Sequence, residues 1–210
     1  MSIRKKSILI ILLILLVDQT VKILIKTNMT LYQDIHVMGN WFLIKFIEND
    51  GMAFGLDLPG NYGKLILSSF RILAVIGIGF YLHQLIKQNS PKGLIISISI
   101  ILAGALGNII DSVFYAHIFS ESTQFTTATL FPEAGGYGTF LHGHVVDLFY
   151  FPILRGFYPD WFPWIGGNAF EFFRPVFNIA DSSITIGVMS ILIFQKRFFI
   201  LEEKVEETEE

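Results

Sequence analysis

Apolar residues are concentrated in four long runs of the chain, and polar residues gather between them. Each run is long enough, at 1.5 Å per residue in a helix, to cross about 30 Å of hydrocarbon. The runs predict transmembrane helices over residues 7–26, 64–86, 93–116 and 177–200. A short polar connector over 87–92 predicts that the second and third helices form a hairpin. The pattern predicts an all-α membrane protein, with one four-helix domain over 1–200 and a tail over 201–210.

The two long connections differ in character. Within the first, residues 27–63, an imperfect alternation of apolar and polar positions over 32–46 predicts a small β-sheet at the membrane surface. Within the second, residues 117–176, twelve aromatic residues lie between Phe140 and Phe173 and are interrupted by Pro and Gly, which prevent another spanning helix. Aromatic rings favour the headgroup layer. Two interpretations remain: a membrane-anchoring loop, or a lid or wall for a lipid-bearing substrate.

Composition supports a bilayer environment. Of the 210 residues, 52% are hydrophobic and only 16% are charged, and the mean hydropathy is +0.57, whereas soluble domains are about 25% charged. The net charge of -3 comes from six glutamates in the tail, and the mildly basic remainder gives no indication of nucleic-acid binding. The absence of cysteine excludes disulfides and thiol chemistry. The first apolar run is expected to be a retained helix, because Asp18 and Lys22 interrupt it and no signal-peptide cleavage pattern follows.

Basic residues near the helix ends predict the orientation. With four helices, three basic regions, before the first helix, between the second and third, and at the end of the fourth, fall on one side, which the positive-inside rule makes cytoplasmic. They contain Arg4, Lys5, Lys6, Lys87, Lys92, Lys196 and Arg197. Both termini are therefore expected in the cytoplasm, and segments 27–63 and 117–176 outside it.

Four aspartates stand out because ionisable groups are costly within a membrane and are therefore functional candidates. They are Asp18, Asp111, Asp147 and Asp181, and the predicted orientation places all four in the outer half of the bilayer. Two carboxylates held close together cannot both ionise easily, so one keeps its proton. Such a pair can activate a water with its charged member and protonate a leaving amine with its neutral member.

The spacing alone does not identify the pair, because three of these aspartates also fit structural roles. Asp18 and Lys22 are four residues apart and can form an ion pair on one helix. Asn108 and Asp111 share a helix face and can hydrogen-bond to a neighbouring helix. Asp181 suits the first turn of the fourth helix.

Five short motifs, taken in chain order, resemble those of signal peptidase II, the lipoprotein signal peptidase of bacteria. Each motif is weak by itself, but the five together, on a four-helix chain of this length, are highly specific. They are Asp18-Gln19 with Lys22, Asn49-Asp50-Gly51-Met52-Ala53-Phe54-Gly55, Gly104-Ala105-Leu106-Gly107-Asn108-Ile109-Ile110-Asp111, His144-Val145-Val146-Asp147 and Phe177-Asn178-Ile179-Ala180-Asp181-Ser182.

The resemblance implies an aspartyl peptidase that needs no cofactor and no metal, with Asp147 and Asp181 as the catalytic pair. It implies further that the following residues shape or support the site: Asn49, Gly51, Asn108, Asp111, Asn178, Asp18 and Lys22. The expected substrates are prolipoproteins carrying diacylglycerol, cut just before the lipidated cysteine. The expected setting is the bacterial inner membrane, with membrane lipids and no nucleic acid as partners, and the chain is expected to be a monomer.

The chain departs from the family pattern in two places. Family members commonly have arginine after the aspartate of the third motif, where this chain has Ser112. Arg71 and Arg174 are predicted to replace that arginine near the lipid, although Arg71 also fits a purely structural role. The stretch from Ser112 to Gly143 is also longer than usual, and either a mobile flap or a lineage-specific surface loop would account for it.

Other functional classes fit the chain less well. A metallopeptidase could use His142 and His144 with Asp147, but no His-Glu-x-x-His helix is present. A proton-coupled transporter would also carry membrane carboxylates, but it would need polar groups in the inner half as well, and usually an internal repeat. A structural membrane scaffold is the third alternative.

Overall fold

The computed structural model describes residues 1–49, 61–172 and 175–199. Three of its helices are long and apolar enough to cross a membrane, as predicted, and they span residues 3–28, 63–87 and 92–118. Helix α1 (Ile3–Asn28) starts earlier than predicted because the side chain of Ser2 accepts a hydrogen bond from the Lys5 N–H and caps it. Helices α2 (Asn61–Lys87) and α3 (Lys92–Ile110) form the expected hairpin.

The predicted fourth helix, over 177–200, is shorter in the structure. Helix α5 (Ile179–Ile193) has 15 residues, about 22 Å at 1.5 Å per residue, and the helix is interrupted at Phe194. Its start is set by Asn178, whose side chain accepts from the Asp181 N–H while the Asp181 side chain accepts from the Asn178 N–H. Four membrane-crossing helices are therefore not established by length.

A four-stranded antiparallel sheet lies beside the helices, in the order β1-β2-β3-β6. Strands β1 (Asp34–Met38) and β2 (Phe42–Asn49) form the small sheet predicted for the first connection. Strands β3 (Val145–Tyr150) and β6 (Val176–Phe177) come from the second connection, where no strand was predicted. Strand β3 pairs with β2 through Asn49 and Val145, so this sheet joins the second and fourth motifs.

The middle of the second connection forms a separate two-stranded hairpin. Strand β4 (Leu154–Phe157) pairs with β5 (Ala169–Phe172), and the turn between them holds Trp161 and Trp164. Residues 154–172 are called the aromatic hairpin below. As the Pro and Gly residues predicted, this stretch contains no further spanning helix.

Helix α3 is the central helix of the bundle. Half of the most apolar 18-residue stretch within residues 92–118 is buried inside the protein, against 11% of the corresponding stretches in α1 and in α2. Two glycines allow the close approach: a Cβ on Gly104 would lie 2.3 Å from the Ala180 carbonyl oxygen, and one on Gly107 would lie 2.7 Å from Asp18 Oδ2. Small residues at these positions let the backbones of α1, α3 and α5 come together.

The long stretch after α3 is fastened to the rest of the protein. It begins with a π-helical turn (Asp111–Tyr115) and the short helix α4 (Ala116–Ile118), and then runs without regular structure to β3. Backbone hydrogen bonds of 3.1 Å from the Ala128 N–H to Lys26 and of 2.9 Å from the Gly143 N–H to Ser112 fix it at two places. These contacts tie the stretch to the end of α1 and to the π-helical turn.

A buried lysine forms the main attachment of that loop. Lys26, in the last turn of α1, is fully buried and forms an ion pair with Glu48 of β2. Its ammonium group also donates to Ser122 Oγ at 2.9 Å and lies 5.0 Å from the centre of the Tyr137 ring. One cation thus joins α1, the sheet and two points of the loop, and its charge is offset by a carboxylate and an aromatic face.

Candidate active site

The four aspartates singled out in the sequence come from four different elements and join one hydrogen-bond network. Asp18 lies on α1, Asp111 at the end of α3, Asp147 on β3 and Asp181 in the first turn of α5. The first three are buried and Asp181 is half-buried. The π-helical turn that starts at Asp111 is a distortion of the kind often found at functional sites.

Two asparagine side chains connect Asp147 with Asp181. Asn178 Nδ2 donates to Asp147 Oδ1 at 2.7 Å and to Asn108 Oδ1 at 3.1 Å. Asn108 Nδ2 in turn donates to Asp181 Oδ1 at 2.8 Å. Asp181 also accepts from the Asn178 N–H at 3.2 Å, so it caps α5 and faces this network at once. Its structural role and its place in the site are therefore compatible.

Asp147 is held from both sides by amides. Asn178 donates to Oδ1, and Asn49 Nδ2 from the end of β2 donates to Oδ2. Burial, and next the charge of Asp181, raise the pKa of the Asp147 carboxyl from its ordinary value to about 8. These surroundings favour the protonated form of Asp147, while Asp181 lies in a more open position. The two carboxyl groups have unequal surroundings, as an acid and a base require.

A fully buried lysine holds the other two aspartates. Lys22 Nζ lies 2.8 Å from Asp111 Oδ2 and 3.0 Å from Asp18 Oδ2, and it donates to Asn108 Oδ1 at 3.0 Å. The three protons of the ammonium group thus have three oxygen partners. The expected ion pair between Asp18 and Lys22 is present, but it is half of a triad that includes Asp111.

Asp18 and Asp111 reach the backbone next to the other two aspartates. Asp111 Oδ2 accepts from the Val146 N–H at 3.3 Å, and Val146 immediately precedes Asp147. Asp18 Oδ1 accepts from the Ala180 N–H at 2.9 Å, and Ala180 immediately precedes Asp181. Each buried carboxylate therefore fixes the strand or helix position that presents one member of the Asp147–Asp181 pair.

Gln19 belongs to this network although the sequence did not mark it as a site residue. Its Nε2 donates to Asp111 Oδ1 at 2.9 Å and to Asp18 Oδ2 at 3.0 Å. Its Oε1 accepts from the Tyr115 hydroxyl at 3.1 Å. Its position directly after Asp18, in the first motif, was the available signal.

A cavity of about 200 Å³ opens beside Asp181. It is lined by Arg71, Asn108 and Asp181 together with aliphatic side chains from α2, α3 and α5. Arg71 Nη1 lies 3.5 Å from Ser112 Oγ, so its guanidinium group lies beside the position at which the resemblance led us to expect an arginine. The other candidate, Arg174, and the motif residue Gly51 lie outside the described residues.

The two histidines of the metal-site alternative have other contacts. His142 Nδ1 lies 3.0 Å from Thr139 Oγ1. His144 stacks on Tyr137 with 5.3 Å between ring centres, and its Nδ1 lies 3.2 Å from Lys64 Nζ. Within residues 1–49, 61–172 and 175–199, no group of three or more His, Asp or Glu side chains has the arrangement of a metal site.

Comparison with known proteins identifies the family. The family model described as signal peptidase (SPase) II matches residues 10–197. The chain is 49% identical to a lipoprotein signal peptidase of Porphyromonas gingivalis over 90% of this chain and 81% of that protein. It is 37% identical to one of Amoebophilus asiaticus over 94% and 81%. Two solved bacterial membrane enzymes, 27% and 29% identical, superpose with TM-scores of 0.60 (92% of this chain, 88% of the other) and 0.58 (90% and 91%). The chain therefore belongs to the signal peptidase II family, the membrane proteases that process lipoproteins.

Proposed function

We propose that this protein removes the signal peptide from diacylglyceryl-modified prolipoproteins, cutting before the lipidated cysteine with a water activated by Asp147 and Asp181. The observation that carries the proposal is the link from Asp147 through Asn178 and Asn108 to Asp181, at the edge of a cavity. The family supports signal-peptide removal from prolipoproteins. The arrangement of the two carboxyl groups supports an aspartyl mechanism.

In the proposed mechanism the two aspartates have different tasks. The Asp181 carboxylate takes a proton from water as the water oxygen attacks the scissile carbonyl carbon. The neutral Asp147 then gives its proton to the nitrogen of the leaving amine as the C–N bond breaks. Afterwards Asp181 carries a proton and Asp147 is charged, so one proton must pass from Asp181 to Asp147, directly or through solvent, before the next turnover.

The residues around the pair would position it. Asn178 and Asn49 orient the Asp147 carboxyl, and Asn108 orients that of Asp181. Lys22 neutralises Asp18 and Asp111, which in turn hold the backbone before each catalytic aspartate. We assign to Arg71, beside Ser112, the contact with the polar part of the lipid-bearing substrate.

The proposed setting is the inner membrane of a bacterium. We infer that α5, with the helical turn over 195–199, forms a fourth crossing, which places both termini and the basic helix ends in the cytoplasm. The Asp147–Asp181 pair then lies toward the outer surface, where the scissile bond of a lipid-anchored substrate is expected. We propose that the protein acts there as a monomer.

A cleavage assay on purified protein tests the proposal. Prolipoprotein carrying diacylglycerol is expected to be cut, the same precursor without the lipid is expected to remain intact, and a chelator is expected to have no effect. The products are separated by gel shift, and mass spectrometry locates the cut. Equal cleavage of both precursors would contradict the assigned substrate, and loss of cleavage with chelator would contradict the aspartyl mechanism.

The raised pKa of Asp147 predicts the pH dependence. Because the acid must hold its proton, kcat/KM is expected to fall as the pH rises through about 8, by about tenfold per unit well above that point. A pKa of ordinary size would place the fall near pH 4 and leave no neutral acid at pH 7. Initial rates between pH 5 and 10, with folding checked at each pH by circular dichroism, measure this profile. A flat profile from 7 to 10 would contradict the role of Asp147 as the acid.

A further inference from the structure

The tip of the aromatic hairpin exposes side chains that water-facing loops rarely expose. Trp164 is 97% exposed, Trp161 77% and Phe157 74%. Such clusters of exposed apolar rings mark a surface that is covered by something else. The active-site network described above makes no use of them.

Charge is distributed unevenly along the aromatic hairpin. Near its base, Arg155 Nε lies 2.6 Å from Glu171 Oε1, and the Tyr150 hydroxyl binds the same carboxylate. Between residues 156 and 170 the only charged residue is Asp160. The hairpin is thus charged at the base and aromatic at the tip. This arrangement is expected of an element with its base in water and its tip in the membrane–water interface.

The tip is also folded in a way that suits a medium poor in water. Backbone hydrogen bonds of 2.9 Å join the Tyr158 N–H to Asn168 and the Gly167 N–H to Tyr158, and others close the turn between them. Trp164 adopts a φ of 64°, in the left-handed region that residues other than glycine rarely occupy. Backbone groups that are already paired can enter the headgroup layer without the penalty of unpaired polar groups.

The chain path keeps the base of the hairpin near the active site. The hairpin leaves β3, which carries Asp147, and returns through β6 to Asn178, the cap of α5. Apolar side chains of α5, including Ile186 and Leu192, are exposed as expected for a lipid-facing helix. The phospholipid that contacts α5 is therefore expected to extend to the hairpin, which is connected to α5 through β6.

We propose that the aromatic hairpin is a membrane-binding element whose tip, with Trp161 and Trp164, inserts into the headgroup–acyl boundary of the leaflet on the active-site side. The partner is phospholipid. The insertion fixes the height of the Asp147–Asp181 pair relative to the lipid-anchored substrate. The insertion itself does not depend on the peptidase mechanism, whereas its effect on the height of the Asp147–Asp181 pair rests on the proposed function.

Tryptophan fluorescence tests the proposal directly, because the chain has only Trp41, Trp161 and Trp164. The full-length Trp41→Phe variant keeps both hairpin reporters, and the Trp161→Phe/Trp164→Phe variant keeps the Trp41 reporter. Each is reconstituted in vesicles of phosphatidylcholine and phosphatidylglycerol that contain lipids brominated near the carboxyl end or near the methyl end of the acyl chain. In the Trp41→Phe variant we expect blue-shifted emission and quenching at least twofold stronger by the shallow bromines than by the deep ones.

Other occupants of the tip would give different results, each of which overturns the proposal. Emission of the Trp41→Phe variant at water-exposed wavelengths without lipid quenching would exclude insertion. If the hairpin tryptophans are shielded from water only at a high protein-to-lipid ratio, the tip contacts a second copy of the protein. If they are shielded only after prolipoprotein is added, the tip is a substrate lid. The readout does not require cleavage, so it stands or fails separately from the proposed activity.

A functional comparison completes the test. Replacing Trp161 and Trp164 by serine is expected to raise KM for lipid-modified precursor about tenfold in vesicles while leaving kcat unchanged. Phe125→Ser removes a 90% exposed ring from the loop after α4 and serves as the matched control, with no expected change. An equal rise in KM in both variants, or no rise in the Trp161/Trp164 variant, would contradict a specific role of the tip.

Discussion

Replacing Asp147 or Asp181 by asparagine is expected to reduce prolipoprotein cleavage by about a thousandfold or more. Asparagine has nearly the same shape as aspartate but can neither take up nor release the required proton. In each case the mechanism loses one of its two proton-transfer groups. The rate is measured by gel shift with lipid-modified precursor at equal concentrations of folded protein.

Both variants are expected to remain folded but to be less stable. Each aspartate accepts hydrogen bonds on both oxygens, so an asparagine NH2 group faces a donor and one hydrogen bond is lost, at a cost of about 1–3 kcal/mol. Asp34→Asn, on the exposed strand β1, makes the same chemical change away from the site and is the matched control. Cleavage within tenfold of wild type in either active-site variant would remove that residue from the mechanism.

Replacing Lys22 by methionine is expected to have the largest effect on stability. Lys22 is fully buried between Asp18 and Asp111, and its removal leaves two carboxylates buried without a positive charge. Loss of one partner of a buried ionic group costs about 3–5 kcal/mol. We expect a lower thermal unfolding midpoint in detergent and, because Asp18 and Asp111 hold the backbone beside the proposed Asp147–Asp181 pair, a loss of cleavage as well.

Two further variants show whether the loss of stability comes from the unpaired buried carboxylates or from removing any lysine. Lys92→Met removes an exposed lysine at the start of α3 and is expected to leave the midpoint unchanged. Combining Lys22→Met with Asp18→Asn and Asp111→Asn removes the uncompensated charges and is expected to recover most of the lost stability. If Lys22→Met alone unfolds at the wild-type temperature, the buried triad does not stabilise the protein as argued.

Hydropathy was sufficient to find the three long helices because a run of about 20 apolar residues has few other structural explanations. It failed for β3 and β6. The sequence Val145–Tyr150 is almost continuously apolar, and such a short buried strand has the same pattern as part of a helix. Pairing of Val176 and Phe177 with β3, followed by the Asn178 cap, moved the start of α5 later than predicted. Neither effect is visible in local hydropathy.

The residues of the candidate site were predicted from their types and from the family resemblance, but the contacts between them were not. Costly membrane carboxylates pointed to Asp18, Asp111, Asp147 and Asp181, and the structure brings them into one network, while their catalytic and supporting roles remain predictions. Gln19 was missed because its hydrogen bond with Asp111 joins residues that are 92 positions apart. The placement of Arg71 beside Ser112 likewise depends on how α2 packs on α3.

The hydrogen bond from the Ala180 N–H to Asp18 spans 162 residues of the chain, and this has a consequence for biosynthesis. At about 5–20 residues per second, a ribosome needs on the order of ten seconds or more to deliver α5 after α1. During that interval the positive charge of Lys22 is balanced by Asp18, because both residues of this ion pair lie on α1. The first helix can therefore stay in the bilayer without an unpaired charge. The Asp147–Asp181 pair forms only when the last helix arrives, so a nascent chain holds no assembled peptidase while it is still being made.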